Sequence, residues 1–286
     1  MMDVHLRRAT PDDAAACGRI CYEAFASIAS RHHFPPDFPD ANIATGLLAM
    51  LLAHPGIYAV VAEVDGQIVG SNFLDERSSI AGVGPITVSP AAQDRGIGRC
   101  LMEDVLTRAD EQYFPGVRLV QAAYHNRSLS LYAKLGFAIQ EPLACLHGPR
   151  IGGTIDGYRV RRAIREDLPT CNAVCTRVHG HDRGGELRDA IEQGTASLVE
   201  HDGRITGYAT SLAFFGHAVG EGTEEIKALI LSAPAFEGPG ILVPSRNTAL
   251  FRWCLGQGME VVQVMTLMMR GLYHEPAGGY LPSVLY

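Results

Sequence analysis

Residues 86–106, ITVSPAAQDRGIGRCLMEDVL, decide the fold of this chain, because they read as an apolar strand, a Ser-Pro break, a Gly-x-Gly loop and a helix. A strand that runs directly into a glycine-rich helix start presents unpaired backbone N–H groups and the positive end of the helix dipole. This arrangement is typical of an anion site. We expect the anion to be a pyrophosphate.

The composition is that of a globular protein. The chain has 286 residues, and at about 150 residues per domain it has room for two domains. Hydrophobic residues make up 47% of the chain and charged residues 19%, and no run approaches the roughly 18 apolar residues of a membrane span. The first ten residues, MMDVHLRRAT, lack the apolar core of a signal peptide. We therefore expect a cytoplasmic protein that does not bind membranes.

Charge and cysteine usage exclude several partners. The net charge is −7 and there is no basic run, which argues against nucleic acid and favours a neutral or cationic small molecule. The seven cysteines include no Cys-x-x-Cys pair, so they predict neither a disulfide framework nor a metal site. Cys17 with Cys21, and Cys171 with Cys175, are spaced i, i+4 on predicted helices. We interpret them as small buried core residues.

The sequence contains an internal repeat. Residues 5–21 (HLRRATPDDAAACGRIC) match residues 159–175 (RVRRAIREDLPTCNAVC) at six of seventeen positions, with a constant offset of 154. Two further correspondences follow in the same order. They are the Asp-Gly turns at 65–66 and 202–203, which predict β-hairpins, and the helix ends at 134–137 and 256–259. This order indicates a duplication, with a glycine-rich linker at residues 147–157.

The two copies differ at the anion site. The first has room between Pro90 and Leu119 for the Gly-x-Gly loop and a helix of about four turns. The second has only AFEGPG between Pro234 and Ile241. We therefore expect one domain at residues 1–148 with the anion site, and a degenerate domain at residues 155–286 that lacks the loop and its helix.

The Gly-x-Gly loop fits two common nucleotide motifs poorly. A dinucleotide fold requires a third glycine where Leu101 stands, and a P-loop requires Gly-Lys-Ser/Thr. The loop QDRGIG at residues 93–98 instead resembles the pyrophosphate loop of the GNAT superfamily of N-acetyltransferases, Gln/Arg-x-x-Gly-x-Gly/Ala. ITVSP at 86–90 looks like the family's fourth strand, and NRSLSLYAKLGF at 126–137 looks like its Asn…Tyr-x-x-x-Gly-Phe element. The resemblance covers roughly residues 4–147, and residues 158–271 as a degraded copy.

The resemblance implies both a fold and an activity. The fold is α+β (mixed α/β), with two tandem GNAT-like domains, each a mixed, mostly antiparallel sheet flanked by helices. The activity is acetyl-CoA-dependent N-acetylation of a primary amine on a small molecule or peptide, without a metal. Tyr132 matches the family's general acid, which protonates the departing thiolate. The residues expected to bind coenzyme A, through the strand, the loop, the helix start and the next helix, are Ile86, Thr87, Val88, Gln93, Asp94, Arg95, Gly96, Ile97, Gly98, Arg99 and Asn126.

The chemistry of these residue types agrees with that role. Gly96 and Gly98 lack a Cβ and allow a pyrophosphate to approach the backbone amides. The strand at 86–88 can pair with the peptide-like pantetheine arm, and a main-chain N–H near Val88 can polarise the thioester carbonyl. Arg95 and Arg99 can add charge, although a solvated surface position explains them equally well.

The general base and the acceptor side are less well defined. Residues 79–89 contain no acidic residue, which departs from the carboxylate that many family members carry there. The candidates for the base are Glu63, Asp75, Glu76 and His125, and each is explained more simply as a surface or hydrogen-bonding residue. We expect the loop at residues 27–41 to form a wall of the acceptor site. The tail at 277–286 is apolar enough to pack, either in the second domain or over the acceptor pocket.

Two other functions stay open at this stage. A non-catalytic acyl-CoA-binding or regulatory protein would also lack the strand carboxylate, although Tyr132 favours an enzyme. An unrelated nucleotide-binding enzyme would be stabilised by ATP or NAD and not by coenzyme A. The identity of the acceptor and the oligomeric state, including a homodimer, are not determined by the sequence.

Overall fold

A computed structural model describes residues 4–285 of the chain, in which strands and helices alternate along most of the sequence. The strands are β1 (His5–Arg8), β2 (Ile57–Val64), β3 (Gln67–Asp75), β4 (Ala81–Val83), β5 (Thr87–Val88), β6 (Gly116–Ala122), β7 (Ala138–His147), β8 (Tyr158–Arg162), β9 (Ser197–His201), β10 (Arg204–Ala209), β11 (Ala218–Gly220), β12 (Ile241–Pro244), β13 (Glu260–Gly271) and β14 (Gly279–Leu281). The helices are α1 (Ala14–Arg31), α2 (Ala41–Ala53), α3 (Ile97–Glu111), α4 (Asn126–Lys134), α5 (Leu168–His179), α6 (Gly184–Gln193), α7 (Thr223–Ser232) and α8 (Thr248–Gly256). Within residues 4–285, no helix is both long enough and apolar enough to span a membrane.

The strands form two sheets. The larger follows the order β1-β2-β3-β4-β6-β13-β7-β12, with β5 paired to β3, and the smaller follows the order β14-β11-β10-β9-β8. Pairing is antiparallel throughout, except that β4 and β6 run parallel. Helices pack on the faces of both sheets, and separate apolar clusters fill the layers between them.

The centre of the larger sheet joins the two halves of the chain by an exchange of strands. Strand β13, from the second half, lies between β6 and β7 of the first, and β7 in turn lies between β13 and β12. Because β7 follows α4 as β13 follows α8, each half contributes its corresponding strand to the other. The order β6-β13-β7-β12 is therefore symmetric about its middle, and an apolar cluster that includes Leu143 and Leu267 covers it.

The predicted repeat is visible in a matching ion-pair arrangement. In the first half, Arg7 bonds Asp13 through Nη1 (2.8 Å) and Glu63 through Nε (2.8 Å). In the second half, Arg161 bonds Asp167 (2.7 Å) and Glu200 (2.8 Å) in the same way. Hydrogen bonds from Arg7 hold the pKa of Asp13 at about 2, and those from Arg161 lower the pKa of Asp167. The paired glutamates, Glu63 and Glu200, lie just outside the matched segments, each two residues before the Asp of its Asp-Gly turn.

Local sequence predicted many element bounds correctly. The sequence pattern predicts a helix at 41–53 and strands at 57–64 and 67–75, and α2, β2 and β3 have these limits. Both Asp-Gly turns have the positive φ angles of a tight hairpin. Two predictions were wrong in extent. Helix α1 continues to Arg31, so the first five residues of the expected loop at 27–41 are helical. The pattern also predicts one strand over 80–88, but two short strands are found there, because Gly84 has a φ of +139° and Pro85 has no N–H to donate.

The second half contains a helix that the sequence comparison did not place. No helix lies between Pro234 and Ile241, as expected, but α7 precedes this segment and connects β11 to β12, as α3 lies between β5 and β6. The expectation that this half lacks the helix is therefore wrong. Its start is acidic, with Glu224 and Glu225 in the first turn, so it would repel a pyrophosphate. Strand β14 pairs along β11 and occupies its free edge.

A cluster of buried histidines lies inside the second half. His179 and His217 contact each other through their Nε2 atoms at 3.2 Å, and each has a buried Nδ1 without a hydrogen-bond partner. The ring of His181 lies 5.6 Å from that of His179. Burial lowers the pKa of both His179 and His217 well below the ordinary value, so the pair is neutral in the folded protein.

Candidate functional site

A cavity of about 460 Å³ contains most of the residues predicted for the site. Its walls come from the β4–β5 region, the α3 start, the end of β6, helix α4 and the α1–α2 region, and also from the second half of the chain. Ten of the twelve predicted site residues line it, namely Ile86, Thr87, Val88, Gln93, Asp94, Gly96, Ile97, Gly98, Arg99 and Tyr132. The fold therefore brings together segments that lie far apart in sequence.

Two neighbouring strands separate at the cavity. Strands β4 and β6 pair only at residues 81–82 and 117–118, and β5 pairs only with β3. The Ser89 N–H donates to the Val69 carbonyl at 2.8 Å, so the Val88 backbone groups between the bonded positions point away from β3. The Val88 carbonyl accepts a hydrogen bond from Gln93 Nε2 (3.1 Å). The Val88 N–H is thus directed toward the gap that separates β5 from β6.

The start of helix α3 lies at the same cavity. Gly96 is its N-cap residue, with a φ of +85° that a residue with a side chain rarely adopts. Because glycine has no side chain to cap the helix, the amides of Ile97 and Gly98 have no intrahelical partner. A Cβ at Gly98 would lie 3.8 Å from Leu131 Cδ2 and 3.9 Å from Val88 Cγ2, both ordinary contacts. The helix start can therefore accept an anion close to its backbone.

Arg127, which the sequence reasoning did not select, holds the glycine-rich loop in place. Its Nη1 contacts the Asp94 carboxylate at 2.7 and 2.8 Å, and its Nη2 donates to Gln93 Oε1 at 2.6 Å. Since Gln93 also bonds Val88, helix α4, the loop and strand β5 are connected. Asp94 has a φ of +63°, so these contacts hold an unusual backbone conformation.

Tyr132 is part of a chain of polar groups along α4. It is 6% exposed and lines the cavity, and Ser128 lies one turn earlier on the same helix. Ser128 Oγ lies 2.6 Å from His125 Nδ1. Burial raises the pKa of Tyr132 to about 12, and the nearby Ser128 hydroxyl opposes that shift. Burial lowers the pKa of His125 to about 4. At neutral pH, therefore, the tyrosine carries its proton and the histidine is a neutral acceptor.

The remaining predicted residues lie outside the cavity. Arg95 and Asn126 do not line it, and Asn126 is the first residue of α4 rather than its cap. Arg99 is at the cavity and also pairs with Glu103 at 3.2 Å. Among the base candidates, only His125 lines the cavity. The three carboxylates are paired with arginines away from it, Glu63 with Arg7, Asp75 with Arg77 and Glu76 with Arg108.

The other end of the cavity combines both halves of the chain. From the first half it includes the residues Ser27, Ile28, Arg31, Asp37 and Phe38, as expected for the segment at 27–41. From the second half it includes Phe214, Phe215, Met265, Val284 and Leu285. Both positions expected for the tail are therefore observed. Strand β14 packs in the second half, and Val284 and Leu285 line the cavity. The contribution of the second half to this end could not be predicted from local sequence, because it depends on the exchange of strands.

Comparisons with known proteins agree with this geometry. Residues 55–139 match the family model described as an acetyltransferase (GNAT) domain. No curated protein matches the chain.

Three solved structures resemble nearly the whole chain. A protein from Pyrococcus horikoshii assigned as an acetyltransferase is 18% identical, with a TM-score of 0.72 over 99% of this chain and 92% of that one. A GCN5-related N-acetyltransferase from Sphaerobacter thermophilus is 16% identical, with a TM-score of 0.61 over 95% and 96%. A tandem GNAT protein from the clavulanic acid biosynthesis pathway is 13% identical, with a TM-score of 0.57 over 94% and 98%. These likenesses confirm the predicted fold class.

Proposed function

We propose that this chain, which carries a GNAT acetyltransferase domain in its first half, transfers the acetyl group of acetyl-CoA to a primary amine of a small molecule or peptide. The observation that carries the proposal is one cavity that contains the start of helix α3, the gap between β5 and β6, and the buried Tyr132. We also propose that residues 1–148 form the unit that binds the cosubstrate and that residues 155–286 complete the acceptor side.

The residues at the cavity fit coenzyme A. The amides of Ile97 and Gly98 suit its pyrophosphate, and the absence of a Cβ at Gly98 keeps space between Leu131 and Val88 free. The side chain of Gln121 lines the cavity, and both its amide atoms are buried with no hydrogen-bond partner in the described part of the chain. The amides of a pantetheine arm would satisfy such a group. The negative start of α7 and the pairing of β14 with β11 argue against a second site.

Acetyl-CoA supplies a thioester whose carbonyl carbon accepts the amine lone pair. The Val88 N–H is placed to stabilise the negative charge that develops on the carbonyl oxygen. As the C–N bond forms and the C–S bond breaks, Tyr132 donates its phenolic proton to the departing sulfur. The proton lost by the amine nitrogen restores the phenol. Ser128 and the neutral His125 provide a path for protons to and from Tyr132.

The cosubstrate site is tested by one pair of glycine substitutions. Gly98→Ala adds a methyl group that the protein itself accommodates, so coenzyme A should bind at least tenfold more weakly while the melting temperature is maintained. Gly46→Ala is the matched control, since Gly46 is an exposed helical glycine with no atom within 4 Å of its added Cβ. Titration calorimetry with coenzyme A is the measurement. Equal affinities for Gly98→Ala and the wild type would contradict the proposed position of the pyrophosphate.

The transfer itself is tested by thiol release from acetyl-CoA over a panel of primary amines. Tyr132→Phe should lower turnover about ten- to a hundred-fold with coenzyme A affinity unchanged. Tyr113→Phe, at a residue that is 91% exposed, should leave turnover as in the wild type. Unchanged turnover in Tyr132→Phe would remove this residue from the mechanism. Tight binding of coenzyme A without any amine-dependent thiol release would instead favour a non-catalytic acyl-CoA-binding protein.

A further inference from the structure

The acceptor end of the cavity contains a carboxylate, Asp37, that forms no ion pair within residues 4–285, although Arg31 lines the same end. Asp37, in the segment between α1 and α2, lines the cavity and accepts a hydrogen bond from Gln263 Nε2 at 3.1 Å. No ion pair to Asp37 is present among residues 4–285, although their arginines pair extensively with other carboxylates. Burial raises the pKa of Asp37, and the bond from Gln263 is what lowers it.

The hydrogen bond to Asp37 comes from the exchanged strand. Gln263 belongs to β13, is 3% exposed and has a buried Oε1 that no residue within 4–285 hydrogen-bonds. The Gln263 side chain therefore uses its N–H group to orient Asp37, and its carbonyl oxygen stays without a hydrogen bond. Holding a charged carboxylate beside an apolar wall costs folding free energy unless a ligand supplies a positive charge to pair with it.

The residues around Asp37 indicate the chemistry of the rest of the ligand. The cavity here is bounded by aromatic and aliphatic side chains from both halves of the chain, namely Phe25, Phe38, Phe214, Phe215, Met265 and Leu285. Tyr124 also lines the cavity, where burial raises its pKa to about 12 and the charge of Asp37 adds to that shift. One carboxylate within an apolar wall matches a molecule with one ammonium group and an apolar body.

Resting on the acetyl transfer proposed above, we infer that Asp37 binds the ammonium group of the acceptor, and that the acceptor is a primary amine with an apolar, ring-sized body. The ion pair also places the Asp37 carboxylate where it can accept the proton that the ammonium group must lose before the amine attacks. One N–H bond of the ammonium breaks, an O–H bond forms on the Asp37 carboxylate, and the neutral nitrogen keeps the lone pair that attacks the thioester. None of the carboxylates that the sequence indicated as the base lines the cavity.

Substitution of Asp37 tests this assignment. Asp37→Asn retains an oxygen that can accept the Gln263 hydrogen bond, so the fold should be preserved while the charge is removed. Asp40→Asn is the matched control, because Asp40 lies three residues further on, caps α2 through its side chain and does not line the cavity. The probes are 2-phenylethylamine and its uncharged analogue 2-phenylethanol. Binding is measured by calorimetry on the protein saturated with coenzyme A.

We expect the wild type and Asp40→Asn to bind the amine at least tenfold more tightly than the alcohol, and Asp37→Asn to lose this preference. In turnover assays, kcat/KM of Asp37→Asn should fall at neutral pH, because no carboxylate removes the proton of the ammonium group. It should recover as the pH rises toward the pKa of the amine, because more of the amine is then already neutral in solution. An unchanged preference for the amine in Asp37→Asn would overturn the inference. Failure of the wild type to release thiol would instead count against the proposed function, since amine binding is measured independently of turnover. If the wild type does not bind coenzyme A, the same comparison of amine and alcohol is made on the protein alone.

Discussion

Lowering the pH from 7.5 to 5.5 should destabilise the folded chain through three buried histidines of the second half. His179, His181 and His217 are 2%, 8% and 1% exposed. Burial, together with the nearby positive charge of Arg183, lowers their pKa values, to about 3 for His181 and well below the ordinary value for the other two. The unfolded chain binds a proton at each histidine as the pH falls through about 6.5, whereas the folded chain does not.

The magnitude follows from this difference in proton binding. A histidine that stays neutral in the folded state contributes stability that is present above pH 6.5 and lost below it, about 1.4 kcal/mol between pH 7.5 and 5.5. The three residues give about 4 kcal/mol, and His125 at the cavity, whose pKa burial lowers to about 4, adds about 1.4 kcal/mol more. The total is a large part of the roughly 5–15 kcal/mol that stabilises a folded protein. The raised pKa of Asp37 acts in the opposite direction, whereas the lowered pKa of Asp13, about 2, matters only in more acidic solution.

Urea unfolding at the two pH values, followed by far-UV circular dichroism and by the fluorescence of the single tryptophan, Trp253, measures this loss. His217→Gln should reduce the pH dependence by about one quarter, because one of the four histidines with lowered pKa values is removed. His147→Gln, at an exposed position on β7, is the control and should leave the dependence unchanged. Equal unfolding free energies of the wild type at pH 7.5 and 5.5 would refute the reasoning, as would equal effects of the two substitutions.

Three further outcomes are expected. Ser128→Ala should lower turnover about two- to tenfold in the wild type and have no further effect in a Tyr132→Phe background, as measured by thiol release in a double-mutant cycle. A fragment of residues 1–148 lacks β13, which separates β6 from β7, and should show no cooperative thermal unfolding by circular dichroism; a cooperative, monomeric fragment would contradict the importance of the exchange. Leu285→Ala should shift acceptor preference toward bulkier amines in competition assays, with the affinity for coenzyme A unchanged, because this side chain belongs to the cavity wall that the second half of the chain contributes.

The side of the cavity that we propose for the cosubstrate was predictable from local sequence because it is built from one continuous segment. Residues 86–99 form a strand, a loop and a helix start, and each depends on its neighbours in the chain. The loop position of Gly96 could be predicted because its positive φ is a conformation that favours glycine. The contacts of Arg127 were not predicted, because its partner Asp94 lies 33 residues earlier and an arginine at a helix start reads as a surface residue.

The acceptor side could not be predicted in the same way. Asp37 and Gln263 are 226 residues apart, and only the insertion of β13 beside β7 brings them together. A strand's alternation of apolar residues indicates that it will be buried but does not identify its neighbours in a sheet. The same limit applies to α7, since the comparison of the two halves placed the missing segment after Pro234 and passed over the helix before it.

The exchange of β7 and β13 has a consequence for how such a chain is maintained in the cell. Two separate copies that swapped these strands would form a dimer, and their shared sheet would come apart on dilution. Joining the copies in one polypeptide makes the association intramolecular, so assembly no longer depends on the amount of protein made. The copies also cease to be interchangeable. One can keep the machinery for the cosubstrate while the other accumulates substitutions that would be harmful if both copies had to carry them.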